Sequence, residues 1–214
     1  PSGMKQFSAL VVGYPNYRGL TSRLLSPQKK ETRVTTKTSA AAPSAPTKMP
    51  TTADKQLLDF ALSAELSVHD LYLKAIDSGM LSADEKLMMQ MFSEHHKAYA
   101  QSLNGLLGKE ASNTRNEALF STYAGQLTSA QAMSRVLQSV ENTMVATHTD
   151  ILSSLQGLDG ATLVASIITV EARHAAVFGT LPNLSLSSAL NSAASSLAPN
   201  AAPAATTTET TVAP

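Results

Sequence analysis

Apolar side chains recur every three to four residues through the middle of this chain, which is the spacing that lines one face of an α-helix. Polar start signals precede two of these runs, since Thr51–Asp54 and Ser82–Glu85 each have the residue pattern of a capping box. The period-two alternation typical of strands is nearly absent. The pattern therefore predicts four long helices, at residues 54–78, 83–107, 126–156 and 160–178.

The connections between the predicted helices indicate their topology. Short turns join helix one to two and helix three to four, so each pair is expected to form an antiparallel hairpin. The link from helix two to helix three, residues 109–125, is longer and contains a short helical segment around Glu117–Phe120. We therefore predict an all-α fold, an antiparallel four-helix bundle with a long crossover between helices two and three. Glycines that follow runs of helix formers are expected to end helices in the left-handed conformation: Gly79, Gly108, Gly157 and Gly179.

The two ends of the chain differ in composition from the helical middle. Residues 1–53 carry eight Lys or Arg and one acid, whereas residues 54–214 carry eight Lys or Arg and fifteen acids. The stretch 35–53 and the tail are rich in Ala, Pro, Ser and Thr, with too little apolar surface to offset the entropy of ordering. We predict a basic arm and linker at 1–53, a helical bundle at 54–179 and a disordered tail at 180–214.

The amino-acid composition restricts the possible ligands and partners of the protein more than it restricts its cellular compartment. The chain has no cysteine, which excludes disulfides and thiolate metal ligands. No apolar run approaches the roughly 20 residues that span a bilayer, so no membrane span is expected. The basic arm lacks interleaved aromatic residues, so a tether or targeting segment is favoured over a nucleic-acid-binding arm. The Thr/Pro-rich tail slightly favours an exported or envelope protein, while an organelle-targeted or cytoplasmic one, protein partners and a homo-oligomer all stay open.

Four ionisable residues lie within otherwise apolar helical stripes. Glu171 and His174 form an E-x-x-H motif at the end of an apolar run, and residues three apart project from one face of a helix. Glu65 and Glu141 lie close to the apolar centres of helices one and three. A buried carboxylate beside a buried imidazole is costly unless a charge compensates it, and a bound metal ion supplies such a charge. These four residues outline a metal site in the bundle core.

Helix two supplies imidazoles without a matching carboxylate. His95 and His96 lie on either side of its apolar centre, whereas Glu94 points away from that centre. The positions three residues before the two histidines hold Phe92 and Ser93, so a second E-x-x-H motif lacks its glutamate. This half of the site is therefore degraded or altered, and one metal ion, zinc included, is as plausible as two.

The combined pattern resembles the ferritin-like superfamily, nearest to its bacterial ferritin-like-domain and desiccation-related members, over about residues 54–179. The resemblance implies a four-helix bundle with a di-iron or di-manganese site of carboxylate and imidazole ligands. Ser93 departs from it, because the resemblance expects a second bridging carboxylate at that position. The ligands that the resemblance implies are Glu65 and Glu141 as terminal carboxylates, Glu171 as a bridging carboxylate, His174 as one nitrogen ligand and His95 or His96 as the other.

Three functions fit these residues. The first is a metal-binding protein that holds iron or manganese and oxidises or sequesters iron or protects against peroxide. The second is a metal-free helical bundle that serves as a structural, envelope or assembly module, which Ser93 and the low-complexity flanks favour. The third and weakest is a nucleic-acid-protecting protein that uses the basic arm. His69 and His148 are expected on the flanks of their helices, either solvated or supporting a ligand.

Overall fold

The computed structural model describes residues 47–180 and 192–199, and all regular secondary structure within those residues is helical. The four long predicted helices are confirmed, with their ends shifted by at most four residues. The predicted short helix in the crossover is confirmed as well. The helices are α1 (Thr52–Asp77), α2 (Ala83–Leu107), α3 (Glu117–Ala124), α4 (Ala130–Ser154) and α5 (Leu158–Thr180), with a 3₁₀ turn at Gly108–Glu110 after α2.

Both predicted capping boxes are present at the helix starts. The Thr51 hydroxyl accepts a hydrogen bond from the Asp54 amide, and the Asp54 carboxylate accepts one from the Thr51 amide. Ser82 and Glu85 form the same reciprocal pair at the start of α2. Each box satisfies amide groups that have no partner inside the helix, which explains why α1 and α2 begin where they do.

Two of the four glycines behave as predicted and two do not. Gly79 and Gly108 adopt positive φ angles, 71° and 58°, in the turns after α1 and α2. The expectation is wrong for Gly179, because α5 continues through it to Thr180. It is also wrong for Gly157, which is not among the positive-φ glycines of the described residues; α4 instead ends at Ser154, and Leu155 after it is extended.

The ends of α1 and α4 show that these two helices are antiparallel. At the start of α1, the Asp54 carboxylate accepts hydrogen bonds from the amides of Gln156 and Gly157, just beyond the end of α4. At the end of α1, Ser78 contacts the sulfur of Met133, near the start of α4, at 3.9 Å. Since α2 is antiparallel to α1, α2 and α4 run in the same direction, and the link that contains α3 must cross the length of the bundle. This is the predicted hairpin, crossover, hairpin connectivity.

The bundle interior has two apolar clusters with a polar layer between them. One cluster surrounds Leu71, Met89 and Leu137, and the other surrounds Leu58 and Leu103. Every long helix contributes to both clusters, and its buried Glu or His residues lie at or near the boundary between the two contributions. Apolar packing above and below the layer keeps these polar groups away from water.

Short pieces of the two flanks pack against the bundle. The carbonyls of Thr47 and Lys48 accept hydrogen bonds from the first amides of α5, at 2.9 and 3.0 Å. On the other flank, the Leu197 amide donates to the Thr147 hydroxyl at 3.0 Å, and Ala198 is 7% exposed. Parts of the predicted linker and tail therefore belong to the fold. The rest of the predicted basic arm and tail, residues 1–46, 181–191 and 200–214, lies outside the described residues.

One helix, α5, is long and apolar enough to cross a membrane by length and composition alone. Its Glu171 and His174 are buried in the polar layer of the bundle, against α4. Core helices of bundles pass the same length-and-composition test, so the expectation of no membrane span stays a prediction.

Replacing Gly157 with alanine should destabilise the fold by about 1–3 kcal/mol. The added Cβ would lie 2.7 Å from the Met49 carbonyl oxygen and 2.9 Å from the Pro50 Cα, which are backbone atoms that cannot easily move aside. Gly105→Ala is the matched control, because a Cβ added there inside α2 would meet no atom within 4 Å apart from its chain neighbours and the adjacent helix backbone. That control should stabilise the helix by about 0.5–1 kcal/mol. Chemical denaturation measures both, and equal stability of the two variants would contradict the close approach of residues 47–50 to the turn.

Candidate metal centre

Five of the six residues singled out from the sequence meet in the polar layer of the bundle. Each is at most 2% exposed, and all four long helices contribute. His95 is the exception, because it is only partly buried at the edge of the layer. The five are Glu65 on α1, His96 on α2, Glu141 on α4, and Glu171 and His174 on α5.

His96 lies between two carboxylates. Its Nδ1 is 2.7 Å from Oε2 of Glu65, and its Nε2 is 3.0 Å from Oε1 of Glu141. Burial by itself would lower the pKa of His96, but the adjacent Glu141 and Glu65 carboxylates raise it well above its ordinary value. In the metal-free protein, a protonated His96 therefore links α1 and α4 through two charge-assisted hydrogen bonds.

Glu141 accepts hydrogen bonds from three side chains. Its Oε1 contacts His96, Nδ1 of His174 at 3.2 Å and the hydroxyl of Tyr72, which donates a short hydrogen bond from α1. Burial would raise the pKa of Glu141, but His96 and His174 outweigh it and lower the pKa to about 2. Burial and the Glu141 charge raise the pKa of Tyr72 well above its ordinary value. Glu141 is therefore ionised and Tyr72 is a neutral donor at physiological pH.

Glu171 pairs with a histidine that the sequence analysis placed on a flank. Its Oε2 is 2.9 Å from Nδ1 of His148, and His148 is fully buried. Burial raises the pKa of Glu171 to about 7, despite the opposing effect of His148. Burial would lower the pKa of His148, but Glu171 and Glu65 raise it above its ordinary value. The site thus holds three carboxylates and three fully or almost fully buried imidazoles.

Four buried polar atoms of the layer make no hydrogen bond within the described part of the chain. They belong to all three carboxylates and to one imidazole, and buried polar atoms rarely remain unpartnered in native proteins. The layer also contains two overlapping groups of three potential ligand atoms, and within each group all atoms lie within 4.8 Å of one another. One group comes from His96, Glu141 and His174, and the other from Glu65, His96 and Glu171. The donor set of carboxylate oxygens and imidazole nitrogens fits a transition metal ion. The unpartnered atoms are Glu65 Oε1, Glu141 Oε2, His148 Nε2 and Glu171 Oε1.

The structure distinguishes His96 from its neighbour. His95 places its Nδ1 2.9 Å from Nε2 of His174, and the two rings stack with their centroids 5.2 Å apart. Burial lowers the pKa of His95, and the nearby His174 and His96 lower it further. His95 therefore contacts the nitrogen of His174 that faces away from Glu141, whereas His96 occupies the core position.

Ser93 confirms that the second E-x-x-H motif lacks its carboxylate. Its side chain is buried, and its hydroxyl oxygen lies 2.9 Å from Nδ1 of His69 on α1. His69 is partly buried and also contacts the Ser93 carbonyl at 3.1 Å. The position that would carry a fourth acid is thus engaged with a histidine at the α1–α2 interface.

His148 is the residue whose burial the sequence analysis missed. Its side chain is 0% exposed, so of the two expected roles the solvated one is wrong, whereas its contact with Glu171 agrees with the expectation that it supports a ligand. A signal was present, because His148 follows Glu141 by seven residues, as Tyr72 follows Glu65. Seven residues are nearly two helical turns, so both members of each pair lie on one face.

Aromatic rings enclose one side of the polar layer. The Phe92 ring stacks on His174 with a centroid separation of 3.9 Å, and the Tyr72 ring stacks on His96 at 5.4 Å. Phe178 packs edge-on against Phe92 at 5.6 Å. These contacts restrict the rotation of both imidazoles and exclude water from that side of the carboxylates.

The comparisons with known proteins agree with the architecture. A family model described as a ferritin-like domain matches residues 53–184, which is more than half of the chain. No curated protein and no solved structure matched the chain. The match covers all five helices and every buried Glu and His of the polar layer. The chain therefore belongs to the ferritin-like domain family.

Proposed function

We propose that this protein binds a redox-active transition metal, iron or manganese, in the polar layer of its bundle. The observation that carries the proposal is the set of four unpartnered buried polar atoms on Glu65, Glu141, His148 and Glu171. Leaving such atoms without a partner costs about 1–3 kcal/mol each, more for charged groups, and a bound cation would satisfy them together.

Two metal positions are supported by the pairing of carboxylates with imidazoles. Glu65 lies beside Nδ1 of His96, and Glu141 lies beside Nδ1 of His174, so each pair would hold one ion. Glu171 would contribute to the ion beside Glu65, with which its ligand atom forms one candidate group. A bound iron or manganese ion would supply the one-electron chemistry that oxidation of iron or removal of peroxide requires.

The surrounding residues would orient the ligands. Tyr72 donates to Glu141, and His95 contacts the second nitrogen of His174. Hydrogen bonds of this kind fix ligand orientation, and their loss typically weakens metal binding by about 10–100-fold. Phe92 would keep the His174 ring in place by stacking on it.

A metal-free bundle is the second candidate, and one observation favours it. His96 already bridges Glu65 and Glu141 at 2.7 and 3.0 Å, so a proton on its ring neutralises part of the buried charge without a metal ion. A further carboxylate ligand is missing, because position 93 holds serine where a second E-x-x-H motif would have glutamate. In that case the bundle would be a structural, envelope or assembly module.

Elemental analysis separates the two candidates. The full chain is purified without chelators or a metal-affinity tag, loaded anaerobically with ferrous iron and freed of unbound metal. About one or two ions per chain would support metal binding, with about two supporting both positions. No bound iron, manganese or zinc after loading with each would overturn the proposal in favour of the metal-free bundle.

Restoring the missing acid with Ser93→Glu should strengthen metal binding, because a fourth carboxylate would complete the second E-x-x-H motif with His96. We expect the affinity for ferrous iron to rise by about tenfold or more, a lower bound taken from the effect of groups that orient metal ligands by hydrogen bonds. Competition with a chromophoric chelator under anaerobic conditions measures it. Ser102→Glu is the control, since Ser102 lies on the exposed face of α2. An equal change in both variants would show that the effect is one of general charge rather than of the site.

A further inference from the structure

His148 has an unpartnered ring nitrogen in the polar layer, but neither of the two proposed metal positions includes it as a ligand. It is fully buried on α4, and its Nδ1 lies 2.9 Å from Glu171. Its Nε2 faces Oε1 of Glu65 on α1 at 3.6 Å. Neither of these last two atoms has a hydrogen-bond partner within the described residues. The separation is too long for a hydrogen bond, so the two atoms face each other with only a charge attraction when His148 is protonated.

The contact with Glu171 determines what His148 offers on its other side. An ionised carboxylate only accepts, so Nδ1 of His148 donates to it, and Nε2 offers a lone pair once a metal ion displaces its proton. A metal-bound histidine usually has this arrangement, with its second nitrogen donating to a carboxylate. Two ligands on one tetrahedral ion with bonds of about 2.1 Å lie about 3.4 Å apart. The 3.6 Å between His148 and Glu65 is close to that separation.

We propose that His148 is a metal ligand that shares an ion with Glu65 and His96, while Glu171 orients its ring from the other side, and that this nitrogen-rich position binds the first metal ion. This inference rests on the proposed metal-binding function. In this arrangement, α2 lacks a carboxylate because position 93 is a serine, and the His148 imidazole on α4 replaces it as a ligand.

The two halves of the site are unequal in this arrangement. The corresponding residue of the first hairpin, seven positions after Glu65, is Tyr72, which donates its proton to Glu141 and offers no comparable ligand. The position beside Glu65 therefore has two imidazoles, from His96 and His148. The position beside Glu141 has His174.

The extra imidazole changes which ions the first position prefers. Imidazole suits iron and zinc, whereas manganese(II) prefers oxygen ligands. The first equivalent of metal should therefore enter the position beside Glu65, and that position should bind Zn²⁺ or Fe²⁺ more tightly than Mn²⁺. The second position, with fewer nitrogen ligands, should discriminate less between these ions.

Zinc binding to the full, untagged chain tests the inference. With one equivalent of Zn²⁺, X-ray absorption should count two imidazole ligands in the unaltered protein and one in His148→Gln. Competition with a chelator should show that His148→Gln weakens binding of the first Zn²⁺ by about 100-fold. His69→Gln is the matched control, because it removes a partly buried histidine that contacts Ser93 and leaves the first position intact.

The outcomes separate this inference from the proposed function. Unchanged Zn²⁺ affinity and imidazole count in folded His148→Gln would overturn the role of His148 and leave metal binding standing. No binding by the unaltered protein would overturn both. If His148→Gln does not fold, the variant His174→Gln tests the inference instead. It should no longer bind the second ion, while the first ion should still have two imidazole ligands. A first ion with only one imidazole in that variant would overturn the inference.

Discussion

Replacing Glu171 with glutamine is expected to weaken binding of the first metal ion by about 100-fold or more, the upper end of what supporting residues contribute. Glu171 is fully buried, its Oε1 has no hydrogen-bond partner within the described residues, and its ligand atom lies within 4.8 Å of those of Glu65 and His96. Glutamine keeps the shape of the side chain but removes the charge that a cation requires. Chelator competition with anaerobic Fe²⁺ measures the loss.

The control for this experiment is Glu94→Gln. Glu94 also lies on a bundle helix, but its side chain is 68% exposed and contacts Lys97 at 3.5 Å. This variant should bind metal as the unaltered protein does. Thermal unfolding supplies a second readout, because metal at about 100 times the dissociation constant should stabilise a binding-competent chain by about 2.7 kcal/mol. A metal-induced stabilisation that persists in Glu171→Gln would contradict the role given to Glu171.

Replacing Asp54 with alanine is expected to reduce the free energy of unfolding by about 3 kcal/mol, because hydrogen bonds to charged groups contribute about 1.5–3 kcal/mol each. The Asp54 carboxylate is 1% exposed and accepts from the amides of Thr51, Gln156 and Gly157 at 2.8–2.9 Å. It thus caps α1 and holds the turn between α4 and α5 at the same time. Urea denaturation of the two proteins at pH 7 measures the difference.

The stability that Asp54 provides should depend on pH in a defined direction. Burial would raise the pKa of Asp54, but the hydrogen bonds from Gln156, Thr51 and Gly157 lower it below its ordinary value. The unfolded chain therefore takes up this proton at a higher pH than the folded chain, so acid favours unfolding. The contribution is complete above pH about 4, the ordinary aspartate value, and is lost as the pH falls through the lowered pKa.

A second capping residue provides the control for Asp54. Glu85 completes the same capping box at the start of α2, but its carboxylate hydrogen-bonds only Ser82 within the described part of the chain. Glu85→Ala should therefore cost about 1 kcal/mol or less. If both variants lose the same stability, or if the Asp54→Ala difference does not shrink between pH 7 and pH 3, the link between α1 and the α4–α5 turn is not what stabilises the fold.

Local signals in the sequence explain why the helices and their connectivity could be predicted. The capping boxes at Thr51 and Ser82 and the turns at Gly79 and Gly108 are set by residues adjacent in the chain. Gly157 could not be interpreted in the same way. Its requirement for a small side chain comes from Met49, more than one hundred residues earlier, and such a contact leaves no local pattern.

Helical geometry explains which site residues could be predicted. Glu65, Glu141, Glu171 and His174 lie close to the centres of their apolar stripes, and all four are buried. The sequence could not show which of the adjacent histidines on α2 is buried in the core. Neighbouring residues point about 100° apart around a helix, so the answer depends on how α2 is rotated about its own axis in the bundle. The burial of His148 could have been predicted by the same reasoning, since a step of seven residues from Glu141 changes the direction of the side chain by only about 20°.

The buried Glu–His pairs are divided between the two hairpins in a way that bears on how the chain folds. Glu65 pairs with His96 inside the first hairpin, and Glu171 pairs with His148 inside the second, across separations of 31 and 23 residues. The contact between His96 and Glu141 joins the hairpins across 45 residues. Closer contacts form with a smaller loss of chain entropy. Each hairpin can therefore neutralise much of its own charge before docking, so that assembly of the bundle brings together two largely paired surfaces rather than opposing bare charges.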